Sequence, residues 1–256
     1  MTATVATVIT HAYNESYLLR WWLPHHRDIF SHGIIIDYAS TDDTVAICRE
    51  LAPDWEVRSS RNSDFNAAAC DAEVIDIERS LPAGEFKMAL TATEFFHCND
   101  LPALLDDIAS QGMHGARIRP VAIVDIQERT DISTDVPLTE QCHTGFIGGY
   151  MEPYKSRVLH DHPDGAYSIG RHYSGHQDLV EYPDDALLLW YGYAPWTSAT
   201  RSRKLQIQNR IPESDKASGF GAQHIITEEQ LHDMWQKNVA LSGDLQQIPE
   251  YIAAIK

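Results

Sequence analysis

Short aliphatic and β-branched runs alternate with longer amphipathic stretches through the first half of the chain, and this alternation constrains the fold more than any other feature. Residues 4–10 form a β-rich run. Residues 15–30 carry Leu18, Leu19, Trp22, Leu23 and Ile29 at helical spacing, with Pro24 placed to bend or interrupt a helix. Gly33 breaks the chain before a second apolar run at residues 34–37. Ser40, followed by Asp42 and Asp43, reads as a helix N-cap with acidic first-turn residues, opening a helix that runs to about Leu51. A third strand at residues 55–59 and a helix over 64–81 follow, the latter with Phe65, Ala69, Ala72, Ile75 and Ile77 among its apolar positions. A strand at 86–90, a helix from about 101 to 110 and a strand at 116–124 complete the pattern. Strands separated by helical segments build a mostly parallel sheet with helices on its faces, which predicts an α/β fold.

The second half has a different texture. Residues 125–135 are polar and read as a mobile loop, followed by irregular segments rich in Gly, His and Tyr. Thr227-Glu228-Glu229-Gln230 has the form of a capping box, opening a terminal helix with Leu231, Met234 and Trp235 on one face. At 256 residues the chain can bury a full core. It is read as a single domain over 1–256, with a binding half at about 1–125 and an irregular half at about 126–256. A formal net charge of -17 argues against nucleic acid or an anionic membrane as the main partner. Cys48, Cys70, Cys98 and Cys142 form no Cys-x-x-Cys pair, so zinc-ribbon and thioredoxin-like readings have no support. No apolar run approaches the roughly 18–20 residues of a membrane span, and no secretory leader is visible. The expectation is a soluble, cytoplasmic protein.

In open parallel sheets, ligands bind outside the carboxyl ends of the strands. Three polar segments fall at such ends. The first is His11-Ala12-Tyr13-Asn14-Glu15, where Asn14 would serve as a helix N-cap and Tyr13 could stack on a base. The second begins at Asp37, either a solvated turn residue or an acceptor for a ring N–H. The third is Thr91-Ala92-Thr93-Glu94-Phe95-Phe96, directly after the 86–90 strand.

In order and spacing these pieces resemble the glycosyltransferases of the GT-A fold, in particular the family 2-like group. There the third segment reads Asp-Ala-Asp-Glu-Phe. The resemblance implies a GT-A-like, Rossmann-related α/β fold, with nucleotide contacts at His11, Tyr13, Glu15 and Asp37 and donor sugar and phosphate contacts at Thr91 and Thr93. It covers about the first 125 residues, and the acceptor-side half only in fragments. In the family, two Asp carboxylates hold a divalent cation that offsets charge on the leaving diphosphate. Neutral hydroxyls at Thr91 and Thr93 are poor substitutes for such ligands, and Glu94 alone seldom holds an ion.

A second family segment, His-Tyr-x-x-(Lys/Arg)-Ser, has its best match at Trp190-Tyr191-Gly192-Tyr193-Ala194-Pro195. Trp190 replaces the His that completes the metal shell. The expectation is therefore no cofactor and no divalent metal: a UDP- or GDP-sugar bound by cations, with Arg201 and Lys204 first and Lys216 next. His160-Asp161-His162 and the stretch Gly170 to His176 lack a familiar zinc spacing. His172 and His176 are instead expected on the acceptor side or at the diphosphate, with Trp190 and Tyr191 offered to sugar faces.

An inverting transferase also needs a general base. Asp125, Glu128, Asp178, Glu213 and Asp215 are the candidates, Asp125 first for its place after a strand, with Glu94 as the other expected catalytic carboxylate. The resulting expectation is transfer of a sugar from a nucleotide-diphosphate sugar to a glycan or small acceptor, inverting and metal-independent. The alternative is an inactive relative of the same fold that binds a nucleotide, glycan or protein partner. A third reading, a hydrolase built on the His-rich segment, needs a bound metal.

Overall fold

The computed structural model describes residues 6–63, 65–152, 154–219, 221 and 224–255. The start of the expected run at residue 4 and the helix start at Asp64 lie outside the described residues.

The first half folds as its alternation predicts. β1 (Ala6–Ala12), α1 (Leu19–Arg27), β2 (His32–Asp37), α2 (Thr44–Leu51), β3 (Glu56–Ser59), α3 (Ala67–Ser80) and β4 (Phe86–Thr91) follow in order. The four strands lie parallel in the order β3-β2-β1-β4. Val8, Ile35, Met88 and Leu90 face α1 and α2, while Ile9, Ile34, Ile36 and Ala89 face Val74 and Ile77 of α3. Helices thus cover both faces, which is why these strands read as continuous apolar runs. Burying each such side chain contributes about 1.5–3 kcal/mol. Gly33 is required for close packing rather than for a turn, because a Cβ there would stand 2.0 Å from the Trp55 ring.

The chain then makes β5 (Glu94–Cys98), α4 (Leu101–Ser110), β6 (Gly115–Val124), α5 (Leu138–Gln141), β7 (Thr144–Ile147), β8 (Arg157–His160), β9 (Val180–Glu181) and β10 (Ala186–Tyr193). α6 (Ser198–Gln206), α7 (Glu213–Ala217), α8 (Glu228–Val239), β11 (Gly243–Asp244) and α9 (Pro249–Ala254) close it. The sheet is mixed. β8 runs antiparallel between β4 and β6, β7 pairs antiparallel with β6, and β10 lies parallel to β6 and antiparallel to β5. β1, β2, β4, β6 and β10 therefore all end at the same edge, and β8 begins there.

Several local expectations need correction. The helix expected over 15–30 is confined to Leu19–Arg27, with Pro24 inside it. Asn14 is not a helix cap: it takes a left-handed backbone (φ 50°), and its side-chain oxygen accepts from the Thr41 N–H at 2.8 Å. Ser40 does not cap α2 either, since its hydroxyl accepts from the Asn14 N–H and Asp43 holds the N-cap position. α3 is capped by Asn66, which accepts from the Ala69 N–H. The capping box at Thr227 and Gln230 forms as expected. The polar 125–135 stretch is pinned rather than free, by Arg129 on Asp125 and Asp131 and by Gln141 on Ser133.

Candidate functional site

Sheet register alone gathers the motif residues at one edge. Ala12 lies beside Asp37, Asp37 beside Ser59, and His11 beside Thr91. The loops above β1 and β2 brace each other through the Asn14–Ser40 and Asn14–Thr41 bonds, and Asp37 accepts from the Ser40 N–H at 3.2 Å. His11 Nε2 lies 3.4 Å from Glu73, and burial holds its ring below the ordinary value against the pull of that carboxylate. Tyr13 carries the Arg210 guanidinium over its ring at 4.4 Å. Glu15 forms a two-pronged ion pair with Arg203 of α6. The C-terminal half thus reaches back over the loops that follow β1 and β2.

Between β4 and β5 the chain turns tightly. The Thr91 and Thr93 hydroxyls meet at 3.0 Å, and the Thr91 N–H donates to Glu94 at 2.8 Å. Glu94 is buried and its carboxylate is gripped by Arg157, at 2.8 Å from NH2 and 3.0 Å from Nε. Burial alone would raise the Glu94 pKa, but Arg157, the Thr91 N–H and Lys155 outweigh it and hold the group below its ordinary value. NH1 of Arg157 donates to His172 Nδ1 at 3.1 Å. Burial first, then Arg157 and Lys155, push the His172 pKa down to about 4, so the ring is neutral with its remaining proton on Nε2.

Trp190 forms the floor between these groups. It sits opposite Glu94 on β5 and beside Ala122 on β6. Its ring lies over Gly192, where a Cβ would approach to 2.2 Å. Two ammonium groups stand on it: Lys155 Nζ is 4.9 Å and Lys204 Nζ 5.6 Å from the ring centroid, with Lys204 also 4.1 Å from the Tyr193 centroid. Burial, then the charges of Arg203 and Lys155, pull the Lys204 pKa down to about 7. Burial and the neighbouring charges of Lys204, Lys155 and Arg203 likewise bring His224 to about 4. Positive charge here exceeds what Glu15 and Glu94 supply, a setting that favours an anionic ligand.

Other expected residues are placed elsewhere or engaged. Tyr191 is 1% exposed, packed edge-on to Phe95 at 4.7 Å, so it belongs to the core and not to a sugar face. Successive strand residues point to opposite faces, and Trp190 takes the open one. Asp125 directly follows β6 at the motif edge, but it accepts from the Trp196 N–H at 2.8 Å and from Arg129 at 3.3 Å. Arg201 pairs with Glu128 at 3.0 Å and lies 5.9 Å from the Trp196 ring centroid. Lys216 pairs with Glu213, and Asp215 holds Asn66 and the Ala67 N–H. His176 and Asp178 are at the opposite edge of the sheet, beside His162. β8 runs antiparallel and carries the chain away from the motif edge before residue 161, which is why His176 does not join His172.

Lys155, Arg157, Arg203, Arg210 and His224 were not singled out as ligand contacts. Lys155 and Arg157 flank Ser156 where β8 begins, a local basic pair that sequence could have pointed to. Arg210 and His224 offered none, because they lie in segments without periodicity.

No family model matches the chain, and no curated protein matches it. Among solved structures, residues 1–349 of S. aureus TarS align at 12% identity over 98% of this chain and 79% of that one, with a TM-score of 0.44. The same fragment in complex with UDP aligns at 13% identity over 83% of this chain and 68% of that one, with a TM-score of 0.43. In complex with UDP-GlcNAc it aligns at 15% identity over 52% of this chain and 37% of that chain, with a TM-score of 0.33. Among the described residues no helix is long and apolar enough to cross a membrane.

Proposed function

We propose that the motif edge binds a nucleotide-diphosphate sugar without a divalent metal, and that the chain transfers the sugar to a glycan or small acceptor. The observation that carries this reading is the pair of amino groups, Lys155 and Lys204, on the ring of Trp190, which lies opposite Glu94 in the sheet. In this reading Tyr13 and Asp37 take the nucleoside, while Lys204, Lys155 and Arg203 neutralise the diphosphate. His11 and Glu15 shape the nucleoside pocket through Glu73 and Arg203. Cations fixed in a partly dehydrated site do what a bound metal ion does elsewhere: they stabilise charge on the leaving group.

The transfer balances simply. The acceptor hydroxyl oxygen bonds to the anomeric carbon, the bond to the diphosphate oxygen breaks, and the nucleoside diphosphate leaves with the electron pair. The hydroxyl proton passes to a base. Asp125 fits that role in direction, since burial raises its pKa against the Trp196 N–H and Arg129. Attack from the face opposite the leaving group inverts the anomeric centre.

The second reading, a binding protein without turnover, is favoured by the engagement of both carboxylates: Glu94 by Arg157 and Asp125 by Arg129 and Trp196. Incubation with UDP- and GDP-sugars and a panel of acceptors, with release of nucleoside diphosphate followed by chromatography, separates the two. Release that depends on acceptor and persists in chelator supports transfer. Tight binding with no release supports the second reading. Lys204→Ala is expected to weaken nucleoside diphosphate binding about 10- to 100-fold, the size of one charge-assisted contact of about 1.5–3 kcal/mol. An unchanged Kd would remove Lys204 from the site.

A further inference from the structure

The edge of the sheet opposite the Trp190 cluster gathers a different chemistry. β8 ends at His160, and the chain then forms a hairpin from about residue 161 to 178, closed by the Tyr167–Ser174 bridge and by the Gly175 N–H on the Ala166 carbonyl. The two arms bring together residues far apart in sequence. The His162 and His176 rings stack at 3.6 Å between centroids with 9° between planes, and His162 Nε2 lies 3.0 Å from Asp178 Oδ1. One ligand atom from each of the three lies within 4.8 Å of the others, and all three side chains are half-buried.

We infer that His162, His176 and Asp178 form a binding site for one divalent transition-metal ion, of which zinc is the natural representative. Two imidazoles and one carboxylate make a borderline donor set, suited to zinc, cobalt or nickel rather than to magnesium or calcium. Bonds of about 2.1 Å in a tetrahedral site place donor atoms about 3.4 Å apart, so the trio closes on an ion when one imidazole turns out of the stack and aims its lone pair at the metal. Water completes the shell.

The surroundings carry features that metal-bound histidines use. His176 Nε2 meets the Asp164 carbonyl at 2.8 Å, so the proton sits on Nε2 and Nδ1 keeps its lone pair. A ring N–H given to a backbone carbonyl is the common way of orienting a ligating imidazole. His160, fully buried, lies 6.2 Å from both rings, and its Nδ1 has no hydrogen-bond partner among the described residues. His114, held by Asp161 at 3.1 Å, stands 5.4 Å from His162. The cluster thus offers more imidazole nitrogen than its own hydrogen bonds use.

A bound ion would clasp the base of the hairpin. The hairpin tip packs on α3, where Arg171 pairs with Asp71 and the Gly170 N–H donates to the same carboxylate at 2.6 Å. The same tip delivers His172 to Arg157 at the other edge. This role is separate from the metal-free donor site and does not depend on sugar transfer.

The test is titration of the full chain with Co²⁺ and Zn²⁺, reading visible cobalt absorption and bound metal by elemental analysis after dialysis. We expect one ion per chain, with affinity weakened at least about 100-fold in both His176→Ala and Asp178→Asn. The exposed-residue variant His232→Ala is expected to bind as the parent does. Far-UV circular dichroism of each metal-free variant checks folding, and if His176→Ala fails to fold, the conservative Asp178→Asn decides. No bound ion, or equal binding in a folded Asp178→Asn variant, overturns the inference.

Discussion

Lys204 concentrates the chemistry of the site in one group. Its folded pKa of about 7 lies below its ordinary 10.5. Between those values the unfolded chain binds more protons than the folded one, so the group's contribution to stability improves as pH rises through that window and is worst below about 7. Binding of a diphosphate has the opposite preference, because it needs the ammonium. Calorimetry at pH 8 in buffers of different ionisation enthalpy is expected to show uptake of about one proton per nucleoside diphosphate bound, and about none at pH 6. Uptake near zero at both values would take Lys204 away from the phosphates. Glu94 behaves differently. With its carboxylate and Arg157 both nearly closed off from water, Glu94→Gln is expected to cost about 3–5 kcal/mol in urea unfolding, the penalty for leaving a buried guanidinium unpaired. Loss of transfer with unchanged stability would instead make it a participant in the reaction. Of the residues named from sequence, those at strand ends (His11, Asp37, Thr91, Glu94) fell at one edge, because strand register is fixed by the apolar pattern. Tyr191 and His176 did not, since a side chain's face in β10 and the path of a hairpin are set by long-range pairing.

At the level of elements, the legible parts were those with local causes. The four parallel strands, α3, α4 and the Thr227 capping box all follow from apolar periodicity and cap residues close in sequence. α1 was overextended because residues 15–18 have helical composition but are drawn into turns, with the Glu15 N–H donating to Thr44 at 2.8 Å. β8 and β10 were not foreseen as strands. Their apolar residues read as short isolated runs, and only pairing with β4, β5 and β6 makes them sheet. Packing is tight at Gly33 and Gly192, where no Cβ fits against Trp55 or Trp190. Gly33→Ala is expected to destabilise by about 1–3 kcal/mol through overpacking. Gly192→Ala displaces the Trp190 ring and is expected to weaken nucleotide binding as well as stability. Equal melting temperatures for Gly33→Ala and the parent would contradict the packing.

Across the whole molecule, the two edges of one mixed sheet carry two unlike sites: a cation cluster on an aromatic floor at the carboxyl edge, and an imidazole–carboxylate cluster at the other. Of the first, Lys204 was already expected from sequence as a phosphate contact. Lys155, Arg157 and Arg203 were not named as contacts, because they lie at the start of β8 and in α6, segments without apolar periodicity. The most direct measurement is the melting temperature of the chain with UDP, GDP, CDP and dTDP, each with Mn²⁺ and with chelator. A ligand that binds only the folded state at 100 times its Kd adds about 2.7 kcal/mol of stability. Metal-independent binding at the Trp190 edge requires a rise with at least one nucleotide that chelator leaves unchanged and Lys204→Ala reduces. A rise seen only with Mn²⁺, or none with any nucleotide, would contradict it.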